Sequence, residues 1–213
     1  MKFEEQFTSY HLDVLKEIGN IGAGNAATSL SKLLQRKIDM KVPSVRVVGF
    51  DEVMDIVGGA ERTIVSVFLR IEGDAPGNMF FIMSPGQASR FVRHMTGEQE
   101  FDFNAPPYSE LSLSSVQELG NILSGSYLSS MSDFTQLSLY PSVPSIAIDM
   151  VGAVLSFGLL ELSQVSDYAI VIDTTFVDEE YQEEEVKGHF FLLPDPASFE
   201  TIFASLGVSS NES

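Results

Sequence analysis

Two copies of one motif decide how this chain folds: EIGNIGAG at residues 17–24 and ELGNILSG at residues 118–125, which lie 101 positions apart. The same offset aligns VPSV at residues 42–45 with VPSI at residues 143–146. Because these matches occur in one order along the chain, they indicate an internal duplication.

The duplication continues beyond the motif. The segment GNMFFIMSPG at residues 77–86 resembles GHFFLLPDP at residues 188–196, now displaced by about 110 positions. We interpret residues 1–213 as a single domain made of two fused repeats, which span about 9–97 and 110–207.

Each repeat is predicted to contain a long helix, a Val- and Ile-rich strand with one proline, a short helix, a hairpin of two strands and a closing helix. The expected bounds are 9–35, 38–48, 50–57, 63–72, 77–83 and 85–96 in the first repeat, and 110–131, 137–148, 149–162, 167–176, 186–193 and 195–206 in the second. The proline within each first strand predicts an edge position or a bulge. We therefore expect an α+β fold with pseudo-twofold symmetry, in which two long helices pack on an antiparallel-rich sheet.

The composition excludes several classes of function. Lys and Arg number 12 and Asp and Glu number 30, which gives a net charge of −18 with histidine neutral. Nucleic acids and anionic membranes both require a basic surface, so we expect neither as a partner. The absence of cysteine excludes thiolate nucleophiles, disulfides and cysteine-ligated metals. No secretory signal or membrane span is recognised, so the protein is expected to be cytoplasmic.

The long helices carry the candidate functional residues. An acid and an amide recur with a polar residue before them, at positions i, i+4 and i+7, which lie on one stripe of a helix. These residues are Asp13, Glu17 and Asn20 in the first repeat and Ser114, Glu118 and Asn121 in the second. One such stripe is ordinarily a solvated helix face, but retention of Glu and Asn in both copies favours a functional role.

The residue types in this stripe suit a particular chemistry. An asparagine side chain holds both a donor and an acceptor, so it can orient a water molecule, and a glutamate can pair with a lysine of another protein. No nucleophile stands beside a base, and no metal-ligating cluster is recognised. We therefore expect the substrate to supply the electrophile and any metal, as an acyl phosphate on another protein does.

With these motifs, the sequence resembles the CheC/CheX/FliY family of bacterial chemotaxis phosphatases over nearly its whole length. The resemblance rests on the two Glu–Asn motifs and on the GNIGAG (19–24) and LYPSVP (139–144) segments, and two intact motifs favour the CheC branch. It implies that the substrate is the phosphorylated response regulator CheY, which holds its own Mg²⁺, and that this chain needs no cofactor. It also implies that Asn20 or Asn121 orients the attacking water, while Glu17 or Glu118 pairs with the CheY lysine.

The same resemblance implies a second partner, the receptor deamidase CheD, whose binding raises the phosphatase activity. The expected surface is the short helix at about 149–162 with Asp149, whose counterpart in the first repeat is Val48. Asp149 has two compatible interpretations, a helix N-cap and a partner contact. The alternative function is a binding module that mainly sequesters CheD. A flagellar-switch component is disfavoured, because only about seven residues follow the last expected helix.

Three further features are assigned structural roles. The GAGNAA segment (22–27) follows a helical pattern rather than a strand, so nucleotide binding is discounted and its glycines are expected to permit close packing. His11 is expected to be a solvated histidine, although it could face the docking surface. The acidic run at 178–185 is expected to be a solvated loop.

Overall fold

The computed structural model describes residues 9–161, 168–178 and 186–206. The first repeat contains α1 (Ser9–Leu34), β1 (Ile38–Lys41), β2 (Val45–Gly49), α2 (Phe50–Ile56), β3 (Thr63–Gly73), β4 (Gly77–Met83) and α3 (Pro85–Thr96). The second contains α4 (Glu110–Thr135), β5 (Leu139–Pro141), β6 (Ser145–Met150), α5 (Val151–Glu161), β7 (Tyr168–Asp178), β8 (Val186–Pro194) and α6 (Pro196–Ser205). Residues 179–185 of the acidic run and residue 207 of the second repeat lie outside the described residues.

The strand that follows each long helix is divided into two. Pro43 lies between β1 and β2, and Pro144 lies between β5 and β6. Proline has no amide proton, so it interrupts the hydrogen bonds of a strand ladder. The pairing register shifts by one residue across each interruption, from β1 to β2 along β7 and from β5 to β6 along β3. Both divided strands lie at the edges of the sheet, where the prolines predicted them.

All eight described strands form one antiparallel sheet, in which the repeats exchange their edge strands. The main path runs β1-β7-β8-β4-β3-β5, with β2 also on β7 and β6 also on β3. Thus β1 and β2 of the first repeat pair with β7 of the second, and β5 and β6 of the second pair with β3 of the first. The repeats meet at β4 and β8, where Phe80 lies opposite Phe191. The predicted α+β fold with its pseudo-twofold repeat is confirmed.

Two hydrophobic cores lie on the two faces of the sheet. The larger lies under α1, α3, α4 and α6, and the smaller lies under α2 and α5. Phe81 and Phe190 face the larger core, whereas their neighbours Phe80 and Phe191 face the smaller, because successive strand residues point to opposite faces. The long helices therefore pack on the sheet as expected, and helices cover its other face as well.

Helices α1 and α4 pack directly against each other at Gly22. A Cβ atom at this position would lie 2.9 Å from Tyr127 Cδ1 and 3.1 Å from Tyr127 Cα. Gly24 is exposed, and a Cβ atom there would meet nothing within 4 Å. Close packing thus explains the first of these glycines but not the second. None of the helices in the described part of the chain is both long and apolar enough to cross a membrane.

Candidate functional site

The second motif lies on an open face of α4. The helix begins after Ser109, whose Oγ accepts a hydrogen bond of 3.0 Å from the amide of Ser112. One turn further on, the side chains of Ser114, Glu118 and Asn121 are exposed. Asn121 Nδ2 lies 3.5 Å from Glu118 Oε2, at the limit of a hydrogen bond. The acid and the amide are therefore adjacent and available to a partner.

The first motif has the same spacing on α1, but its amide is engaged. Asp13 and Glu17 are exposed, whereas Asn20 is half-buried. Its Nδ2 donates to the Lys16 carbonyl at 3.0 Å, and its Oδ1 accepts from the Val42 amide at 3.1 Å. Both ends of the carboxamide thus bind the backbone of this chain, so Asn20 cannot turn towards a docked partner without breaking these two hydrogen bonds.

The difference between the Asn20 and Asn121 amides arises from the connections that follow β1 and β5. In the first repeat Val42 is only 2% exposed, and a Cβ atom at Gly19 would lie 3.4 Å from its side chain. In the second repeat its counterpart Val143 is 80% exposed. The same Val-Pro-Ser sequence is therefore folded inward in one repeat and outward in the other.

A different residue tethers the connection in the second repeat. Gln117 Nε2 donates to the Pro144 carbonyl at 2.9 Å. Lys16 occupies the equivalent position of the first repeat, and there Asn20 makes the tether instead. Because Gln117 performs this role on α4, Asn121 is left available. Sequence reasoning missed Gln117, although its contrast with Lys16 in otherwise matching motifs was a usable signal.

Neither motif lies in a metal-binding cluster. Within the described ranges, no group of three or more histidine, cysteine, aspartate or glutamate side chains is arranged to hold a metal ion. Each motif offers one carboxylate and one carboxamide close together on a convex helix surface. Such an arrangement can pair with a cation and position a water molecule on a macromolecule that docks against it.

The sequence comparisons identify the family. The sequence model of the CheC-like family matches residues 11–47 and 111–148, which are the long helix and divided strand of each repeat. The chain is 51% identical, over 93% of its length and 94% of the relative's length, to a Bacillus subtilis protein named CheY-P phosphatase CheC. The chain belongs to the CheC-like family.

More distant matches extend the fold of this CheC-like chain to flagellar proteins. The flagellar motor switch phosphatase FliY of Bacillus subtilis is 29% identical over 136 residues. The matched part is 64% of this chain and 35% of that protein. The crystal structure of Thermotoga maritima FliY superposes with a TM-score of 0.73, at 22% identity, covering 94% of this chain and 98% of that one. The FliM middle domain of H. pylori gives a TM-score of 0.66 at 12% identity, covering 93% and 99%. At these identities the structural matches show a shared fold.

Asp149 of the CheC-like chain lies in β6 rather than at the start of α5. It is exposed, and its Oδ1 accepts a hydrogen bond of 2.7 Å from the amide of Met150. The first amides of α5 bond to backbone carbonyls instead, Val151 to Arg62 at 2.9 Å and Gly152 to Ala60 at 2.8 Å. The N-cap interpretation of Asp149 is therefore wrong, because the backbone carbonyls of Ala60 and Arg62 accept from these donors.

His11 of the CheC-like chain also differs from expectation. It is 7% exposed, and its ring centroid lies 5.6 Å from that of Phe203 in α6. Burial lowers the pKa of His11 below its ordinary value of 6.5, because the charged form is poorly solvated there. The expectation of a solvated histidine is wrong, since α6 packs over this side of α1 from a distant part of the sequence.

Proposed function

We propose that this chain is a chemotaxis phosphatase that hydrolyses the aspartyl phosphate of CheY. The observation that carries the proposal is the 51% identity to Bacillus subtilis CheC over 93% of the chain, combined with a Glu–Asn pair on an exposed helix face in the second repeat. The shared fold with FliY is consistent with this role.

In the proposed reaction the chain positions the attacking water molecule. The Asn121 carboxamide binds this water molecule. The oxygen of the water attacks phosphorus on the side opposite the aspartate oxygen. The bond between phosphorus and that oxygen breaks, the aspartate leaves as a carboxylate, and both protons of the water end on the released phosphate. The Mg²⁺ that neutralises the phosphoryl oxygens belongs to CheY, and Glu118 holds CheY in register by pairing with its lysine.

This division of labour fits the residues of the chain. Acyl-phosphate hydrolysis requires little covalent assistance, so a well-placed water molecule supplies much of the catalysis. Ideal positioning lowers a barrier by up to roughly 7–11 kcal/mol. An asparagine suits this role because it does not titrate and offers a donor and an acceptor at one position. In the first repeat Glu17 and Asn20 take the equivalent roles once Asn20 leaves the Lys16 carbonyl and the Val42 amide. Asp13 and Ser114 support the two motifs at the preceding turn.

Decay of phosphorylated CheY tests the proposal. The wild-type chain is expected to accelerate decay, and the double variant Asn20→Ala/Asn121→Ala is expected to abolish that acceleration. Asn25→Ala is the matched control, because Asn25 is another exposed asparagine on α1 outside the motif. Equal decay rates with the wild-type chain and the double variant would refute the catalytic role of the two amides. A wild-type chain without any effect on decay would refute the function itself.

A second proposed role is binding of CheD, with an increase in phosphatase activity in the complex. Asp149 supports it, because this carboxylate is exposed beside Met150, which is 48% exposed. The surface would extend along α5, where side chains from residue 157 onward lie outside the described set. If the chain acts mainly on CheD, it is a binding module whose catalysis is secondary.

Charge reversal tests the CheD surface. Asp149→Lys is expected to abolish capture of CheD by the immobilised chain. Glu52→Lys is the matched control, because Glu52 is an exposed acid on α2, the equivalent short helix of the first repeat. Retention of CheD by Asp149→Lys would place the interface elsewhere.

A further inference from the structure

Val143 is the most exposed large hydrophobic side chain in the described part of the chain, at 80% of its surface. Burial of valine is favourable, and the chain achieves it at the equivalent position, where Val42 is 2% exposed. Since both valines begin the same Val-Pro-Ser sequence, the local sequence does not force the outward position. The exposure of Val143 is a property of how the second repeat holds this connection.

Hydrogen bonds on both sides fix the position of Val143. On one side, the Ser142 amide donates to the Arg70 carbonyl at 2.8 Å, and Ser142 Oγ accepts from the Arg70 amide at 2.9 Å. On the other side, the Pro144 carbonyl accepts from Gln117 Nε2 at 2.9 Å. The exposed valine is therefore held between two anchored residues rather than at the tip of a long loop.

One of these anchors places Val143 beside the second motif. Gln117 and Asn121 are four residues apart on α4, so they lie on the same side of the helix. Glu118 follows Gln117 directly. The connection bound by Gln117 therefore runs along the edge of the surface that carries Glu118 and Asn121. Val143, Glu118 and Asn121 are all exposed.

We propose that Val143 is a docking residue of the second site, which contacts the phosphorylated CheY molecule when Glu118 and Asn121 engage it. This inference rests on the proposed function. The polar pair recognises the charged groups around the phosphoaspartate, and Val143 supplies an apolar contact beside them. Exclusion of water at such a contact strengthens the neighbouring polar interactions. In the first repeat the corresponding valine is buried, so that site lacks the contact.

Steady-state hydrolysis of phosphorylated CheY by an Asn20→Ala chain, in which only the second site operates, tests the inference. Adding Val143→Asp to this chain is expected to raise KM roughly tenfold with kcat retained. Adding Val143→Ile instead is expected to leave KM at the value of the Asn20→Ala chain, because isoleucine keeps an apolar side chain at this position. Leu33→Asp in the same background is the control, because Leu33 is another exposed apolar residue, 44% exposed near the end of α1. The thermal unfolding midpoint of each variant is measured, and only variants whose midpoint equals that of the Asn20→Ala chain are compared.

The outcomes separate this inference from the proposed function. An unchanged KM in the Val143→Asp chain overturns the docking role, as does a fall in kcat at constant KM. An equal rise in KM in the Leu33→Asp chain also overturns it. If the wild-type chain is active but Asn20→Ala is not, the second site does not work alone and the docking role of Val143 is also overturned. A wild-type chain with no activity on phosphorylated CheY refutes the proposed function instead.

Discussion

The backbone amide of Val42 donates a hydrogen bond of 3.1 Å to Asn20 Oδ1. This bond joins the motif helix of the first repeat to the connection between its two edge strands. In the described part of the chain, the equivalent Asn121 is 3.5 Å from Glu118 and has no such bond to Val143. Two motifs of matching sequence are thus held in different states.

We expect the two sites to contribute unequally to activity. Asn20 must break two hydrogen bonds, each of about 1 kcal/mol net, before its carboxamide can turn towards a docked partner. Asn121→Ala is therefore expected to lower kcat/KM by more than about tenfold, and Asn20→Ala by less than about twofold. Decay of phosphorylated CheY under steady-state conditions measures both values. Equal losses in the two variants would contradict the inequality.

Stability provides an independent check on the same hydrogen bond. Asn20→Ala leaves the Val42 amide without its acceptor, so the free energy of unfolding is expected to fall by about 1 kcal/mol. Asn121→Ala is expected to change it by less than about 0.5 kcal/mol, as surface substitutions usually do. Urea unfolding of the two variants gives the comparison.

The contact of α1 with α4 predicts opposite effects for two glycines of one helix. Gly22→Ala places a Cβ atom against the backbone and ring of Tyr127, so it is expected to destabilise the chain by about 1–3 kcal/mol. Gly24→Ala meets nothing and is expected to stabilise it by up to about 1 kcal/mol, because alanine favours helix. Denaturant unfolding measures both changes. A stabilised Gly22→Ala would show that the helices separate readily.

Asp173 predicts a loss of stability in acid. Burial by itself raises the pKa of this carboxyl, but hydrogen bonds from His189 and Ser44 and the charge of Arg46 outweigh it and lower the pKa from 3.8 to about 2. His189 Nδ1 lies 2.8 Å and Arg46 3.1 Å from the carboxylate. Because the folded state favours the ionised form, this contribution, about 2 kcal/mol, is present above pH 3.8 and is lost as the pH falls towards 2.

Unfolding at a series of pH values tests the role of Asp173. The wild-type chain is expected to lose stability steeply between pH 4 and pH 2, and Asp173→Asn is expected to be less stable at neutral pH with a shallower dependence in that range. Parallel profiles for the two chains would assign the acid sensitivity to other carboxyl groups.

His11 predicts a second, milder pH dependence with the same sign. Its pKa is lowered by burial beside Phe203, so the unfolded chain binds a proton more readily than the folded one. The corresponding stability is present above pH 6.5, the ordinary pKa, and is lost as the pH falls below it. His11→Leu is expected to flatten the stability profile between pH 7 and pH 5. The prediction fails if the substituted chain keeps the wild-type slope.

Local features of the fold were predictable from the sequence. The apolar spacing on α1 and α4 repeats every three or four residues, and Pro43 and Pro144 mark interruptions that depend only on the missing amide proton. Features that depend on contacts between distant residues were not. Nothing in the local pattern indicates that β1 pairs with β7 rather than within its own repeat, or that Phe203 covers His11.

In the candidate site, too, the local features were predictable from the sequence and the features that depend on distant contacts were not. The stripe of Glu17 and Asn20, and that of Glu118 and Asn121, followed from helical periodicity. The states of the two amides did not, because identical Val-Pro-Ser segments take opposite positions according to what tethers them. The sequence contrast between Lys16 and Gln117 bears on this difference only once the Pro144 carbonyl is known to lie within reach.

The exchange of edge strands between the repeats has an evolutionary consequence. Neither half can complete its own sheet, so an ancestor with one repeat would have needed a second copy to cover β3 or β7, and each mutation would have altered both motif surfaces at once. Fusion into one chain removes that constraint. One surface can then specialise in turnover while the other drifts towards a reserve or regulatory state, with the shared sheet unchanged beneath them.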